Sequence, residues 1–161
     1  MYHATVQKIL ALLNTNGVWY ETFEHAPVRT STDAAKIRHG YTLHQGAKSL
    51  IVRVKIPHVG KKFVMLVIPG DTKFDSGKVR FALGASEIRF ATEEEVSEVT
   101  QGVQVGGVPP FGNIFGLEVF VDPHIVEQEK IIFNAGDRQF SVAMKATDYQ
   151  KLVKPKILGL V

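Results

Sequence analysis

Ala47-Lys48-Ser49-Leu50-Ile51-Val52-Arg53-Val54-Lys55-Ile56 is followed by Pro57-His58-Val59-Gly60-Lys61 and then by Lys62-Phe63-Val64-Met65-Leu66-Val67-Ile68. Two apolar runs rich in β-branched residues flank a short segment carrying proline and glycine. That pattern predicts a β-hairpin with Lys61 and Lys62 near its turn. Pro69-Gly70-Asp71 closes the second run with a turn signal.

Upstream, Val6, Ile9, Leu10, Leu12 and Leu13 recur at helical spacing within Thr5 to Asn16, and Asn14, Asn16 and Gly17 supply a stop. Val18 to Phe23 reads as a strand, broken by His25-Ala26-Pro27. Val28 to Asp33 offers several N-caps ahead of a short helix through Ala34, Ala35 and Ile37, ended at Gly40. Downstream, Asp75 caps a helix carrying Val79, Phe81, Ala82 and Leu83, closed by Gly84. Ile88 to Phe90 is a short strand, and Thr92-Glu93-Glu94-Glu95 has capping-box spacing for the next helix. Its carboxylates suit the positive end of a helix better than a metal site. Leu117 to Val121, Lys130 to Phe133 and Gln139 to Met144 are strand-like, with Asn134-Ala135-Gly136-Asp137 as a hairpin connection. A last helix starts after Thr147 or Asp148. Helices and strands alternate without repeat, low-complexity tract or linker, so the expectation is one mixed α/β domain over residues 1–161.

Apolar residues make up 45% of the 161 and charged residues 22%, enough to build a hydrophobic core in a soluble globular chain. No apolar run reaches membrane-spanning length and the N-terminus lacks signal-peptide character, so a cytoplasmic location is the default. The absence of cysteine excludes disulfides, thiolate metal sites and cysteine nucleophiles. A net charge of +3 permits weak attraction to a polyanion without requiring it.

Val105-Gly106-Gly107-Val108-Pro109-Pro110-Phe111-Gly112 cannot be the inside of a helix or a central strand. The prolines stiffen the loop and the glycines leave its backbone bare at one end. Such a loop either presents N–H groups to a carbonyl or phosphate, or rigidly connects two elements. No Walker motif, dinucleotide fingerprint or histidine pair at metal-ligand spacing occurs, and Ser49, Ser76, Ser86, Ser97 and Ser141 lack the G-x-S-x-G setting. Lys48 opens an apolar strand. It must reach solvent, line a cleft or lie buried with a partner, because an unpaired buried ammonium is costly. In a cleft it could stabilise developing negative charge.

Several segments, in this order and spacing, resemble the YbaK/ProX family of aminoacyl-tRNA deacylases, related to the editing domain inserted in bacterial prolyl-tRNA synthetases. They are His25-Ala26-Pro27 with Thr30-Ser31, Gly46-Ala47-Lys48-Ser49-Leu50, Val67-Ile68-Pro69-Gly70-Asp71, Lys78-Val79-Arg80, Leu83-Gly84-Ala85, Gly106 to Gly112 and Phe133-Asn134-Ala135-Gly136. The resemblance implies a mixed α/β fold around a curved, mostly antiparallel sheet flanked by helices. It implies cofactor-free, metal-free hydrolysis of the ester between a mischarged amino acid and the terminal ribose of tRNA, with alanine or cysteine on the tRNA for proline as expected substrates. Lys48 matches the family's catalytically important lysine, and Gly106, Gly107, Val108, Pro109 and Pro110 match its carbonyl-holding loop, with Phe111 following. The resemblance also implies that the substrate's own ribose hydroxyl helps to position the attacking water. Asn134 stands where some branches carry histidine; it orients but does not take a proton. His25 and Gly136 join the substrate-binding set, and Phe23, Thr30, Ser31 and Thr32 are the expected pocket wall. Mischarged aminoacyl-tRNA is the implied partner, alone or with a tRNA synthetase. A non-catalytic module of the same fold, docking an aminoacyl or nucleotide end or a synthetase, is the alternative. A general RNA-binding domain is disfavoured, since basic residues are scattered and no aromatic-basic motif occurs.

Overall fold

A computed structural model describes residues 1–27 and 40–161. Helix α1 (Ala4–Thr15) and strand β1 (Tyr20–Glu24) precede the hairpin β2 (Ala47–Ile56) and β3 (Gly60–Pro69). Its register runs from Ala47 opposite Pro69 to Ile56 opposite Gly60, and positive φ values at His58 (67°) and Gly60 (107°) turn the chain. Then come α2 (Ser76–Leu83), β4 (Glu87–Phe90), α3 (Glu93–Thr100), a 3-10 turn (Gly112–Phe115) and β5 (Val119–Val121). The chain continues with α4 (Pro123–Val126), β6 (Lys130–Asp137), β7 (Phe140–Lys145), α5 (Ala146–Val153) and β8 (Lys156–Ile157). The helix expected through Ala34 to Ile37 lies outside the described residues. No helix among the described residues is long and apolar enough to cross a membrane.

The strands form a five-stranded sheet, ordered β4-β2-β3-β5-β8, and a three-stranded antiparallel sheet, ordered β1-β7-β6. The hairpin is central to the first, which explains its sequence. Met65 and Val67 face the larger core cluster, while Val64, Leu66 and Ile68 face the smaller one, so β3 is apolar on both sides. A parallel bridge between Gly46 and Ile132 joins the sheets, with Ile132 N–H donating to Gln45 O at 3.0 Å. Helix α1 lays Val6, Ile9 and Leu13 into the larger cluster with Ile131, Phe133 and Ala135 of β6.

Local signals at the helix ends hold. Asp75 caps α2, Gly84 closes it at φ 65°, and Thr92 with Glu95 forms the capping box of α3. Glu95 also pairs with Arg89 at 2.8 Å, and this partner with the Thr92 N–H holds its carboxyl at about 2. Three features differ from expectation. Asn134 to Asp137 are not a connection but the end of β6, with a register shift between Asn134 and Asp137; the reversal falls at Arg138 and Gln139. Ala135 is fully buried, and core burial outweighs turn propensity there. Pairing of β5 with β3 and with β8 is parallel, and α5 starts at Ala146, one residue before Thr147.

Asp122 precedes α4 and ties the C-terminal segment down. One carboxylate oxygen accepts from the Leu160 N–H (2.9 Å) and the Val161 N–H (3.2 Å), and the other from the His124 N–H (2.9 Å). Burial pushes this carboxyl up, but those bonds and the His124 ring outweigh it, leaving its pKa below the ordinary value. The ionised form therefore stabilises the fold above the unfolded pKa of ~3.9, and that contribution is lost as pH falls through the lower folded value. Asp122→Asn is expected to lower the melting temperature at neutral pH and to flatten the loss of stability below about pH 4. Melting curves across pH check this, and an acid limb identical to that of the wild type would contradict it.

Candidate active site

The Gly106–Phe111 loop bridges the two sheets just beyond their joint, and its backbone groups can be followed one by one. Gly107 N–H closes a turn on Gln104 O at 2.9 Å, with Gly106 at φ 89° in the third position, where glycine is favoured. Gly106 O accepts from Asn134 Nδ2 at 2.7 Å, and Gly107 O from the Gly136 N–H at 2.8 Å. Val108 O accepts from the Ser49 hydroxyl, and Pro110 O from the Tyr149 hydroxyl at 2.6 Å. Phe111 O accepts from the Ile114 N–H at 3.0 Å. The prolines have no N–H, while the N–H groups of Gly106 and Val108 are given to no group among the described residues. With its carbonyls pinned from both sheets, the loop has donors left to offer at its glycine end.

The other end is anchored in the core. Val108, Pro109 and Pro110 are buried, and Phe111 stands fully buried between Phe133 and Tyr149, each 5.5 Å away between ring centroids. Phe111 thus secures the loop from behind rather than facing a ligand. Complete burial pushes the Tyr149 hydroxyl well above its ordinary pKa, so it remains a neutral donor.

Asn134 is itself held. Its Oδ1 accepts from the Ser141 hydroxyl at 3.0 Å, and that hydroxyl shares a 2.8 Å hydrogen bond with His25 Nε2. Ser141 lies directly opposite Asn134 across β6–β7 and opposite Phe23 across β1–β7, so one register assembles the whole group. Phe23 is half-buried, edge-on to Tyr41 at 5.9 Å. His25, Asn134, Gly106, Gly107, Val108 and Gly136 therefore come together. Thr30, Ser31 and Thr32 lie outside the described residues.

Lys48 is placed differently. Strand alternation sends Lys48 and Ser49 to opposite faces of β2. Val67, opposite Ser49, belongs to the larger cluster with Val108, whereas Ile68, opposite Lys48, belongs to the smaller one. Lys48 Nζ donates to Thr72 O at 2.7 Å in the turn after β3. Burial lowers its pKa, Asp71 opposes that shift, and Lys73 reinforces it. Ser49 and Ser141 carry no motif that marks them as loop supports; only the strand pairing, read residue by residue, exposes their role.

Gly136 is shaped by packing. It has φ 115°, and a Cβ there would lie 2.7 Å from Thr5 Cβ and 3.1 Å from Val6 N in α1. Its N–H donates to Gly107 O at 2.8 Å.

Residues 25–152 match the model of the aminoacyl-tRNA editing domain. The chain is 32% identical over 156 residues to the Escherichia coli multifunctional Ser/Thr-tRNA deacylase ProXp-y, covering 96% of this chain and 92% of that protein. It is 25% identical over 152 residues to the prolyl-tRNA editing protein ProX of Acetoanaerobium sticklandii, covering 92% and 90%. It is 36% identical over 72 residues to the proline–tRNA ligase of Halalkalibacterium halodurans, covering 45% of this chain and 12% of the ligase. A solved structure proposed to be a trans-editing enzyme for prolyl-tRNA synthetase superposes with a TM-score of 0.81 at 23% identity, over 99% and 98% of the two chains.

Gly136→Ala is expected to lose about 2 kcal/mol or more of stability, from the positive φ and the overlap with Thr5 together. Denaturant unfolding measures it; a stability within about 0.5 kcal/mol of wild type would show that α1 yields freely.

Proposed function

The chain belongs to the aminoacyl-tRNA editing domain family, and from that premise we propose that it is a free-standing deacylase whose Gly106–Pro110 loop binds the carbonyl of the ester it cleaves. Its activity is hydrolysis of aminoacyl-tRNA, as in the named deacylases of the family. The observation that carries the loop assignment is the hydrogen-bond pattern, with pinned carbonyls and unpartnered N–H groups at Gly106 and Val108.

Water adds to the ester carbonyl carbon, and the carbonyl oxygen becomes an oxyanion held by those N–H groups. The bond from carbon to the ribose oxygen then breaks, and the ribose leaves as a hydroxyl after taking a proton. The substrate's neighbouring ribose hydroxyl positions the water. The protein's share is orientation and charge stabilisation, and a loop fixed before binding supplies both without reorganising. Asn134, backed by Ser141 and His25, keeps the Gly106 carbonyl from turning toward the developing oxyanion. Lys48 contributes a cation whose half-buried setting strengthens its field. It acts through space from the opposite face of β2, with its Nζ kept on Thr72 O.

The amino acid removed has a short side chain. Similarity to a Ser/Thr-tRNA deacylase over nearly the whole chain favours serine or threonine over alanine or cysteine. A pocket that hydrogen-bonds a side-chain hydroxyl rejects the analogue lacking it far better than size alone rejects a methylene, which is worth only ~1–3 kcal/mol. The partner is mischarged tRNA in the cytoplasm, with docking on prolyl-tRNA synthetase a further step.

Incubation with seryl-, threonyl-, alanyl- and cysteinyl-tRNA, following loss of the amino acid, tests the reading; no release from any of them would refute it. Lys48→Ala is expected to cut turnover by about tenfold with the fold intact. A lower melting temperature with unchanged turnover per folded molecule would instead make Lys48 an anchor for the Thr72 turn. Asn134→Ala is expected to lower kcat/KM by about tenfold or more while the other loop ties hold the melting temperature nearly constant. Turnover should survive exhaustive chelation by EDTA; loss restored by zinc or manganese would overturn the metal-free mechanism.

A further inference from the structure

Arg138 sits in the reversal between β6 and β7, directly behind the loop. A Cβ on Gly106 would lie 3.5 Å from Arg138 Cδ, and one on Gly107 would lie 3.5 Å from Cγ and 3.4 Å from the Arg138 N. The alkyl chain therefore runs along the glycine pair. Among the described residues its guanidinium makes no hydrogen bond or ion pair, and Nε is buried without a partner. It lines a cavity of about 410 Å³ together with His3, Gln104, Gly136, Asp137 and Gln139.

A buried guanidinium Nε without a partner is an unusual expense in a folded chain. Asp137, the nearest acidic group in sequence, does not satisfy it. Its oxygens accept from the Gln139 N–H at 2.9 Å and the His3 N–H at 3.2 Å. The guanidinium is thus held beside the ester-binding loop, and its planar fork of donors matches two oxygens of a phosphate.

We propose that Arg138 and this cavity form a subsite for a phosphate oxyanion, occupied in the working enzyme by the phosphodiester on the 5′ side of the terminal adenosine. The assignment rests on the deacylase reading, which places the aminoacylated ribose at Gly106 and Val108. The adjoining phosphodiester is one nucleotide's reach away, on the side where Arg138 flanks the glycines. Such a contact reads the polynucleotide strand rather than the amino acid, and lets one loop serve different aminoacyl groups.

Two small substrates test it: 3′-O-seryl-adenosine and the same compound carrying a 5′-phosphate. Wild type should prefer the phosphorylated one by about tenfold or more in kcat/KM. Arg138→Gln should bring that ratio close to one, and Arg138→Lys should restore part of it. Because the ratio is taken within each variant, a general disturbance of the loop cancels. No preference in wild type, or an equal loss on both substrates in Arg138→Gln, overturns the subsite. If wild type hydrolyses neither compound, the aminoacyl-tRNA panel decides the deacylase reading, and titration with AMP and with adenosine decides the subsite alone. AMP binding tighter than adenosine only when Arg138 is present supports it; equal binding overturns it. Inorganic phosphate binding as tightly as AMP would assign the cavity to free phosphate and overturn the strand assignment.

Discussion

Pro109 and Pro110 have no N–H to give, so the loop around them cannot join a ladder and must find donors for its carbonyls elsewhere. The donors come from three places at once. Ser49 belongs to the five-stranded sheet, Asn134 and Gly136 to the three-stranded one, and Tyr149 to α5. Losing the bond to Val108 O or Pro110 O leaves a buried carbonyl unpaired, which costs ~1–3 kcal/mol, whereas the exposed Gly106 carbonyl can turn to water. The loop is therefore also a strap between the sheets, which among the described residues share one β-bridge, at Gly46 and Ile132.

This arrangement divides labour within one short stretch. In the buried half, Pro109 to Phe111 are structural, with Phe111 wedged between two aromatic rings, and Val108 keeps only its N–H for a ligand. The exposed half, around Gly106, carries the polarity that a carbonyl would meet. Rigidity at one end and bare backbone at the other are the two requirements of a preorganised oxyanion site, because donors that need not move lose no free energy on reorganising. The same division recurs in β2, where Ser49 serves the loop and its neighbour Lys48 serves the opposite face.

Much of this was legible in the residues. Continuous apolar runs marked the central hairpin, and Asp75, Gly84 and Thr92 marked helix ends by local chemistry that tertiary packing did not override. The Gly-Pro stretch announced a stiff loop. What stayed hidden was set by register. Asn134 to Asp137 look like a turn by composition, yet Ala135 belongs to the core and Gly136 absorbs a bulge beneath α1. The meeting of His25, Ser141 and Asn134 spans 116 residues, and no spacing rule links positions that far apart. Arg138 is one basic residue among nineteen in the sequence, and only the fold shows that its buried Nε has no partner among the described residues.

The pairing of β1 with β7 has a consequence for how the molecule comes into being. Residues 20–24 wait for residues 140–144 before they have a strand to lie against. The hairpin of residues 47–69 closes over a short span and can form while most of the chain is still extended. A chain emerging from the ribosome thus acquires its central hairpin early. Its ester-binding loop remains slack until Asn134, Gly136 and Tyr149 have been made and folded back. Synthesis must pass Tyr149 before the protein has a site at all, so a chain cut short of it would hold at most a fragment of sheet and no competence to act on tRNA.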